Sequence, residues 1–288
     1  MEQLDADRFA LTELGGQLRT GTPDSFHDDV LLSITPELWQ AWGALTHVVR
    51  TGEPWRHPGT RLTAHETALR DPRMSALYRE AKARATQEFT SGLAEVYDFT
   101  RFGTVVDFGG DDGALMAALL SAAPELHGVL YDLPTAVDGV RATLDAAGVG
   151  KRCEVVEGDL TGPVRTDAHA YLLNHLIRDV GDDAAVTLLT RCRDAMPATA
   201  RLLLFETVMP PLLTPADSAS FGLTDLNNLV YTGGRERTAR EYQALLEAAG
   251  FTFVAATAVP AAEGLPDYHV IEARPASGHS ATPGTGER

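Results

Sequence analysis

Cysteine is nearly absent. Among 288 residues only Cys153 and Cys192 occur, too few for a disulfide framework or a cysteine-built zinc site, so a reducing cytoplasm is the expected compartment. Long apolar runs are absent too. No stretch approaches the ~20 residues that a membrane-spanning helix needs. The N-terminus, MEQLDADRFALTELGG, is acidic and lacks the apolar core of a secretory signal. Basic residues are scarce: 24 Lys and Arg stand against 40 Asp and Glu, a net charge of −16. Without a Lys/Arg cluster there is no footprint for a polyanion, so nucleic acid and anionic membrane surfaces are not expected partners. His27, His47, His57 and His65 are scattered without ligand spacing, and no metal is expected. What remains is ordinary globular composition, 44% hydrophobic and 22% charged, which excludes a wholly disordered chain. The length suits one large domain with a smaller appendage.

Three zones follow. Residues 1–98 read as a helical segment. Pro36 opens a helix whose stripe is Leu38, Trp39, Trp42, Leu45 and Val49. Asp71-Pro72 starts a second, long helix to Tyr97, with Met74, Leu77, Tyr78, Ala81 and Ala85 on one face. Both stripes need burial, and they are expected to pack on the second zone and roof its binding site. The three tryptophans, Trp39, Trp42 and Trp55, read as core or interface aromatics. Residues 99–274 alternate apolar runs with helical patterns. TVVDF (104–108), GVLYDL (128–133), CEVVEGD (153–159), AYLLNH (170–175), RLLLFE (201–206) and YHVIEA (268–273) read as strands. ALMAALLSAA (114–123) and EYQALLEAAG (241–250) read as helices, the latter capped by Gly250. This alternation predicts an α/β fold with a mostly parallel, doubly wound sheet. Residues 275–288 have no apolar side chain larger than Ala and read as a disordered tail.

The chemistry concentrates at strand ends. TVVDFGGDDG (104–113) is an apolar strand ending in Asp107, followed by a glycine turn that lets backbone approach a ligand. Gly109 and Gly110 make the turn and Gly113 opens the next helix. The next strand ends in Asp132, placed to accept from two ribose hydroxyls. The third is followed by Glu157-Gly158-Asp159, where Asp159 suits an exocyclic adenine amine. Successive acids at three strand ends describe an adenosine-shaped site. A dinucleotide fits less well, because Asp111 and Asp112 stand where a pyrophosphate would lie. Carboxylates tolerate an ammonium instead, so S-adenosyl-L-methionine suits the site.

Taken in order, VVDFGGDDG, LYDLP, VVEGD, YLLNHLIRD, LLLFETVMP and TGGRERT resemble the bacterial and plant small-molecule O-methyltransferases, over roughly residues 8–274. The resemblance implies a Rossmann-like, seven-stranded methyltransferase fold using S-adenosyl-L-methionine. It implies cofactor contacts from Asp107, Gly109, Gly110, Gly113, Asp132, Leu133, Asp159, Leu160 and Asn174. It implies an acceptor site that includes Asp179 and Asn228. It also makes Phe9–Arg19 similar to the end of a winged-helix dimerisation segment, so residues 1–98 are expected to be the remnant of a dimerisation domain. A homodimer, or a heterodimer with a full-length relative, is the expected assembly.

Three departures stand out. Asp111 replaces the third glycine of the family turn; an Asp adopts left-handed geometry at modest cost. Asn228 replaces a pocket methionine. Arg178 replaces the histidine general base, and a guanidinium cannot accept a proton. Glu206 and Glu236, which flank that base in the family, are expected to hold Arg178. His175, three residues earlier, shares a helical face with Arg178 and is the candidate substitute base. Three functions follow. The first is methyl transfer to a hydroxyl of a small aromatic or polyketide-type natural product by proximity, with Arg178 stabilising a phenolate. The second is non-methylating chemistry on the bound cofactor, such as hydroxylation, decarboxylation or cyclisation. The third is a non-catalytic subunit. Product masses separate the first two, and a native mass separates the third.

Overall fold

Central strands of a parallel sheet are covered on both faces, so they read as continuous apolar runs. The runs between residues 104 and 275 behave this way. A computed structural model describes residues 1–22, 25–132, 137–158, 167–215, 217–261 and 266–277. Its main sheet has strands β1 (Thr104–Phe108), β2 (His127–Asp132), β3 (Cys153–Glu157), β4 (Ala170–Asn174), β5 (Arg201–Thr207), β6 (Phe251–Val259) and β7 (Tyr268–Pro275). Their spatial order is β3, β2, β1, β4, β5, β7, β6. The first five are parallel, and β7 runs antiparallel to both of its neighbours. This is the Rossmann-like methyltransferase sheet.

Six strands match the apolar runs of the sequence. The seventh, β6, does not announce itself. It lies at the sheet edge, has four small residues between Val254 and Val259, and carries a register shift between Phe253 and Ala255. An antiparallel two-residue pairing, Glu2–Gln3 with Phe9–Ala10, was likewise not expected.

Besides a single helical turn at Glu13–Gly16, the α-helices among the described residues are α1 (His27–Ser33), α2 (Pro36–Gly43), α3 (Leu45–Thr51), α4 (Ala64–Ala68), α5 (Pro72–Val96), α6 (Ala114–Ala122), α7 (Val137–Ala146), α8 (Asp182–Ala195), α9 (Leu223–Tyr231) and α10 (Ala239–Ala248). Alternate residues of each strand feed opposite cores. Val105, Leu130, Leu172 and Leu203 face α5, α6 and α7 through Phe89, Leu93, Leu115 and Val140. Val106, Val129, Leu173 and Leu204 face α8 and α10 through Leu189, Tyr242 and Leu246.

The N-terminal helices settle on this frame. Asp71 caps α5, accepting from the amides of Arg73 at 2.8 Å and Met74 at 3.3 Å. The helix then packs on α6 and β6. The stripe expected from Pro36 onward is corrected. The helix breaks at Ala44, and the inward residues are Leu38, Ala41, Trp42, Leu45 and Val48. Trp39 and Val49 are 66% and 59% exposed, so Trp39 is not a core residue of this chain. Ala41, Val48 and Ala64 meet Val230 of α9, and Trp42 donates to Asn227 Oδ1 at 3.3 Å. The N-terminal segment thus covers the carboxyl ends of the strands. No helix among the described residues is long and apolar enough to cross a membrane.

Candidate active site

The cofactor half is built where β1, β2 and β3 end. Gly109, at φ +67°, turns the chain back, and its amide bonds Tyr131 O at 2.9 Å. At Gly110 a Cβ would collide with Leu130 and lie 3.0 Å from Asp107 Oδ2. Asp111 follows at φ +56°, the left-handed geometry expected of it. Its amide donates to Asp132 Oδ2 at 2.7 Å, which ties the turn to the end of β2. Gly113, at φ +81°, is the N-cap of α6.

Asp107 sits beneath this turn, completely buried, and neither carboxylate oxygen has a hydrogen-bond partner. Burial, and after it the charge of Asp132, pushes its carboxyl up to about 7. An orphaned buried carboxyl under a glycine turn fits the cationic end of S-adenosyl-L-methionine, and the donor set therefore fits the cofactor. Asn174, at the end of β4, is also buried; its Nδ2 reaches Thr86 Oγ1 at 3.5 Å and its Oδ1 has no partner. Leu133, Asp159 and Leu160 lie outside the described residues.

One neighbour of the turn was not anticipated. Lys82 of α5 forms an ion pair with Asp111, Nζ to Oδ2 2.5 Å. Burial alone would lower the lysine, but Asp111, by charge and hydrogen bond, together with Tyr78 and Asp179, outweighs it and holds Lys82 above its ordinary range.

The acceptor half follows β4. His175 takes φ +54°, and the residues after it form turns rather than a helix. The expected helical pairing of His175 with Arg178 is therefore corrected. The His175 ring instead stacks on Tyr268, centroids 5.1 Å apart, and its Nε2 is buried without a partner. Burial, then the charges of Arg178 and Lys82, hold it well below the ordinary imidazole range.

The two glutamates divide their work. Glu236 pairs with the guanidinium, Arg178 Nη2 to Oε1 3.0 Å. The same carboxylate accepts from Thr207 Oγ1 at 2.6 Å and Asn228 Nδ2 at 3.2 Å. Glu206 does not bond the guanidinium. It accepts from the backbone amides of Ile177 at 2.8 Å and Arg178 at 3.3 Å. Burial pushes Glu206 up to about 8, against the opposing pull of Arg178. Arg178 itself is held above its ordinary range: burial opposes the charge, but Glu236, Asp179 and Glu206 outweigh it.

The turn is locked from a second loop. Arg237 is fully buried and bonds the carbonyls of Ile177 at 2.6 Å and Val180 at 2.8 Å, with Asp182 on its other edge. Gly234 lies so close that a Cβ would strike the Arg178 carbonyl oxygen. Both residues lie in the TGGRERT motif, but neither was assigned a role from the sequence, because each acts through a contact far along the chain.

Arg178, Asp179, Asn228 and His175 line a cavity of about 290 Å³, which Tyr78, Lys82, Tyr231 and Tyr268 also line. A larger cleft, about 590 Å³, runs along Gly109, Tyr131, Asp132 and Gly158. The two share Asp179 and Thr232. The cofactor cleft and the acceptor cavity thus adjoin at Asp179 and Thr232. His65 of α4, set aside in the sequence, lines the larger cleft. Its ring lies between Tyr78 and Tyr231, centroids 4.9 and 5.3 Å away.

Comparison with known proteins places this geometry. Residues 42–252 match the family model of the O-methyltransferase domain. The chain is 39% identical to the O-demethylpuromycin-O-methyltransferase of Streptomyces alboniger over 95% of its length and 72% of that protein's. The solved structure of the mitomycin 7-O-methyltransferase superposes with a TM-score of 0.81 at 32% identity, covering 92% of this chain and 76% of that one. An O-methyltransferase of neocarzinostatin biosynthesis, solved with S-adenosyl-L-homocysteine and 1,4-dihydroxy-2-naphthoic acid, superposes at 0.79 and 28% identity, with coverage of 92% and 77%.

Proposed function

The chain belongs to the O-methyltransferase domain family, whose methyl donor is S-adenosyl-L-methionine, and on that premise we propose that it methylates a hydroxyl of a small aromatic or polyketide-type natural product. The observation that carries this reading is that the cofactor cleft and the acceptor cavity adjoin, with Asp179 and Thr232 lining both. When bound, the cofactor supplies an activated methyl group on a sulfonium. Asp107, Gly109, Gly110, Gly113 and Asp132 hold it, Asp107 by charge and Asp132 by accepting from the ribose. Leu133, Asp159, Leu160 and Asn174 complete that set by resemblance.

The acceptor lies among Tyr78, Tyr231 and Tyr268, three rings that suit a flat aromatic. Asn228 and Asp179 offer polar contacts, and Arg178 presents a fixed positive charge that favours an ionised acceptor oxygen. Fixing the nucleophile in line supplies much of the acceleration without a proton acceptor at residue 178. The exposed apolar side chains Leu4, Phe9, Leu14 and Trp39 support assembly, as a homodimer or as a heterodimer with a longer relative.

The test is incubation with methyl-labelled S-adenosyl-L-methionine and a panel of phenols, hydroxynaphthoic acids and hydroquinones, read by mass. A gain of about 14 Da with label incorporation is expected. A cofactor-dependent product without label overturns methyl transfer in favour of other chemistry. No product from the homogeneous protein, recovered only on adding a longer relative, overturns it in favour of a subunit role.

A further inference from the structure

Methylating a hydroxyl releases a proton, and the residue that takes it has to be neutral, near the acceptor and stabilised once charged. Six basic groups line the two cavities, of which Arg56 and Arg191 are guanidiniums that cannot accept a proton. Arg178 and Lys82 are already charged and held so by Glu236 and Asp111. His175 is buried, and both Arg178 and Lys82 oppose its protonation. His65 differs. It enters from the N-terminal segment, its Nε2 is enclosed and has no hydrogen-bond partner, and it lines the cleft that Asp179 and Thr232 also line. Those two residues border the acceptor cavity as well. Tyr78 and Tyr231, which flank the His65 ring, line that same acceptor cavity.

We propose that His65 is the general base of the methyl transfer, with Asp179 as the anion that stabilises its protonated form. The proposal rests on the function proposed above. The acceptor O–H bond breaks, its proton passes to the imidazole of His65, and the oxygen keeps the electron pair with which it attacks the methyl carbon. The imidazolium then returns the proton to water.

The charges facing His65 support this direction. Burial lowers its affinity for a proton, so it is neutral at pH 7 and free to accept one. Asp179 pulls in the other direction, with smaller help from Glu66 and Asp111, while Lys82 opposes. Tyr78 and Tyr231 are held protonated by burial and remain neutral. Arg178 then keeps a separate role, the stabilisation of negative charge on the oxygen.

The experiment compares wild type with His65→Gln and His65→Phe on an acceptor found active in the mass assay. Phe keeps a ring between the two tyrosines, so it separates packing from proton transfer. Both variants are expected to lose about 10²–10³-fold in kcat while S-adenosyl-L-methionine affinity by calorimetry stays within twofold. The acidic limb of the wild-type kcat/KM profile, set below the ordinary imidazole range, disappears in both. The loss shrinks along a series of increasingly acidic phenols, which ionise unaided. In cofactor-free protein, imidazole NMR titration of Asp179→Asn places His65 lower than in wild type. Methylation at an unchanged rate with an unchanged pH profile in His65→Phe overturns the base and leaves the function standing. An Asp179→Asn protein with an unmoved His65 titration overturns the pairing. A wild type that methylates nothing in the panel overturns the function and the base together.

Discussion

The Lys82–Asp111 pair offers a direct measure of how the N-terminal segment is fastened to the cofactor turn. The two charges are 2.5 Å apart, and their side chains are only 13% and 26% exposed. At an effective dielectric near 20, their attraction is about 7 kcal/mol. Residual solvent contact and the nearby Asp179 charge on Lys82 reduce what is lost when one partner goes, because the survivor finds other compensation. A coupling of about 2–3 kcal/mol is expected, the upper part of the range for contacting residues. Lys82→Met leaves Asp111 beside Asp107, Asp112 and Asp132, and should cost about 3 kcal/mol. Asp111→Gly strands Lys82 but releases a left-handed non-glycine residue, a relief of about 1 kcal/mol, so its net cost is about 2 kcal/mol. The double variant should then lose only about 2–3 kcal/mol, well short of the sum. Urea denaturation of the four proteins, with the m-value checked for constancy, reads these differences. Additivity within about 0.5 kcal/mol would refute the reasoning, since it would mean that the pair contributes geometry without energy.

Two further outcomes follow from the buried acids. Asp107 has a folded-state value near 7, above that of an unfolded carboxylate. Its contribution to stability is therefore full below about pH 4 and is lost as pH rises through 7. The Tm of cofactor-free protein should fall across roughly pH 5–8, with Asp107→Asn flattening the fall, whereas S-adenosyl-L-methionine affinity should rise over the same range because a cation prefers the carboxylate; parallel slopes for the two proteins in both assays would remove Asp107 from the site. Arg178→Met leaves Glu236, 1% exposed, with only Thr207 and Asn228 as donors. The expected loss is about 3 kcal/mol in chemical denaturation, and an undiminished stability would show that the guanidinium is dispensable to the fold.

How much of this was legible in the sequence depends on the distance over which a residue acts. β1 to β5 and β7 could be read because their apolar runs are continuous and bounded by helical patterns. β6 could not, because an edge strand of small residues satisfies its neighbours with few large side chains. The cofactor turn was legible for the same local reason. Asp107, the glycines and Asp111 are consecutive, and Asp132 ends the next strand, so a linear reading reaches all of them. Arg178 was legible as a departure, and so was its need for an acid; only the fold shows that Glu236 takes the guanidinium while Glu206 takes the backbone beneath it.

The choice of proton acceptor shows where linear reading stops. Spacing nominated His175, since a residue three positions before Arg178 shares its face if the chain is helical. The chain leaves β4 through a left-handed residue instead, and His175 ends against Tyr268 with two cations opposing its protonation. His65 carried no signal, because nothing around it in the sequence resembles a site. Its neighbours are assembled from α5, α9 and the turn after β4: Tyr78, Tyr231 and Asp179. A base is defined by the sign of the charges around it as much as by its own chemistry. Those charges come from residues that the chain brings together only when α4 and α5 close over the sheet. An arginine at residue 178, where the resemblance implies a histidine, therefore does not by itself remove proton transfer from the site. It moves the requirement to an imidazole whose protonated form a carboxylate favours, and Asp179 acts in that direction on His65.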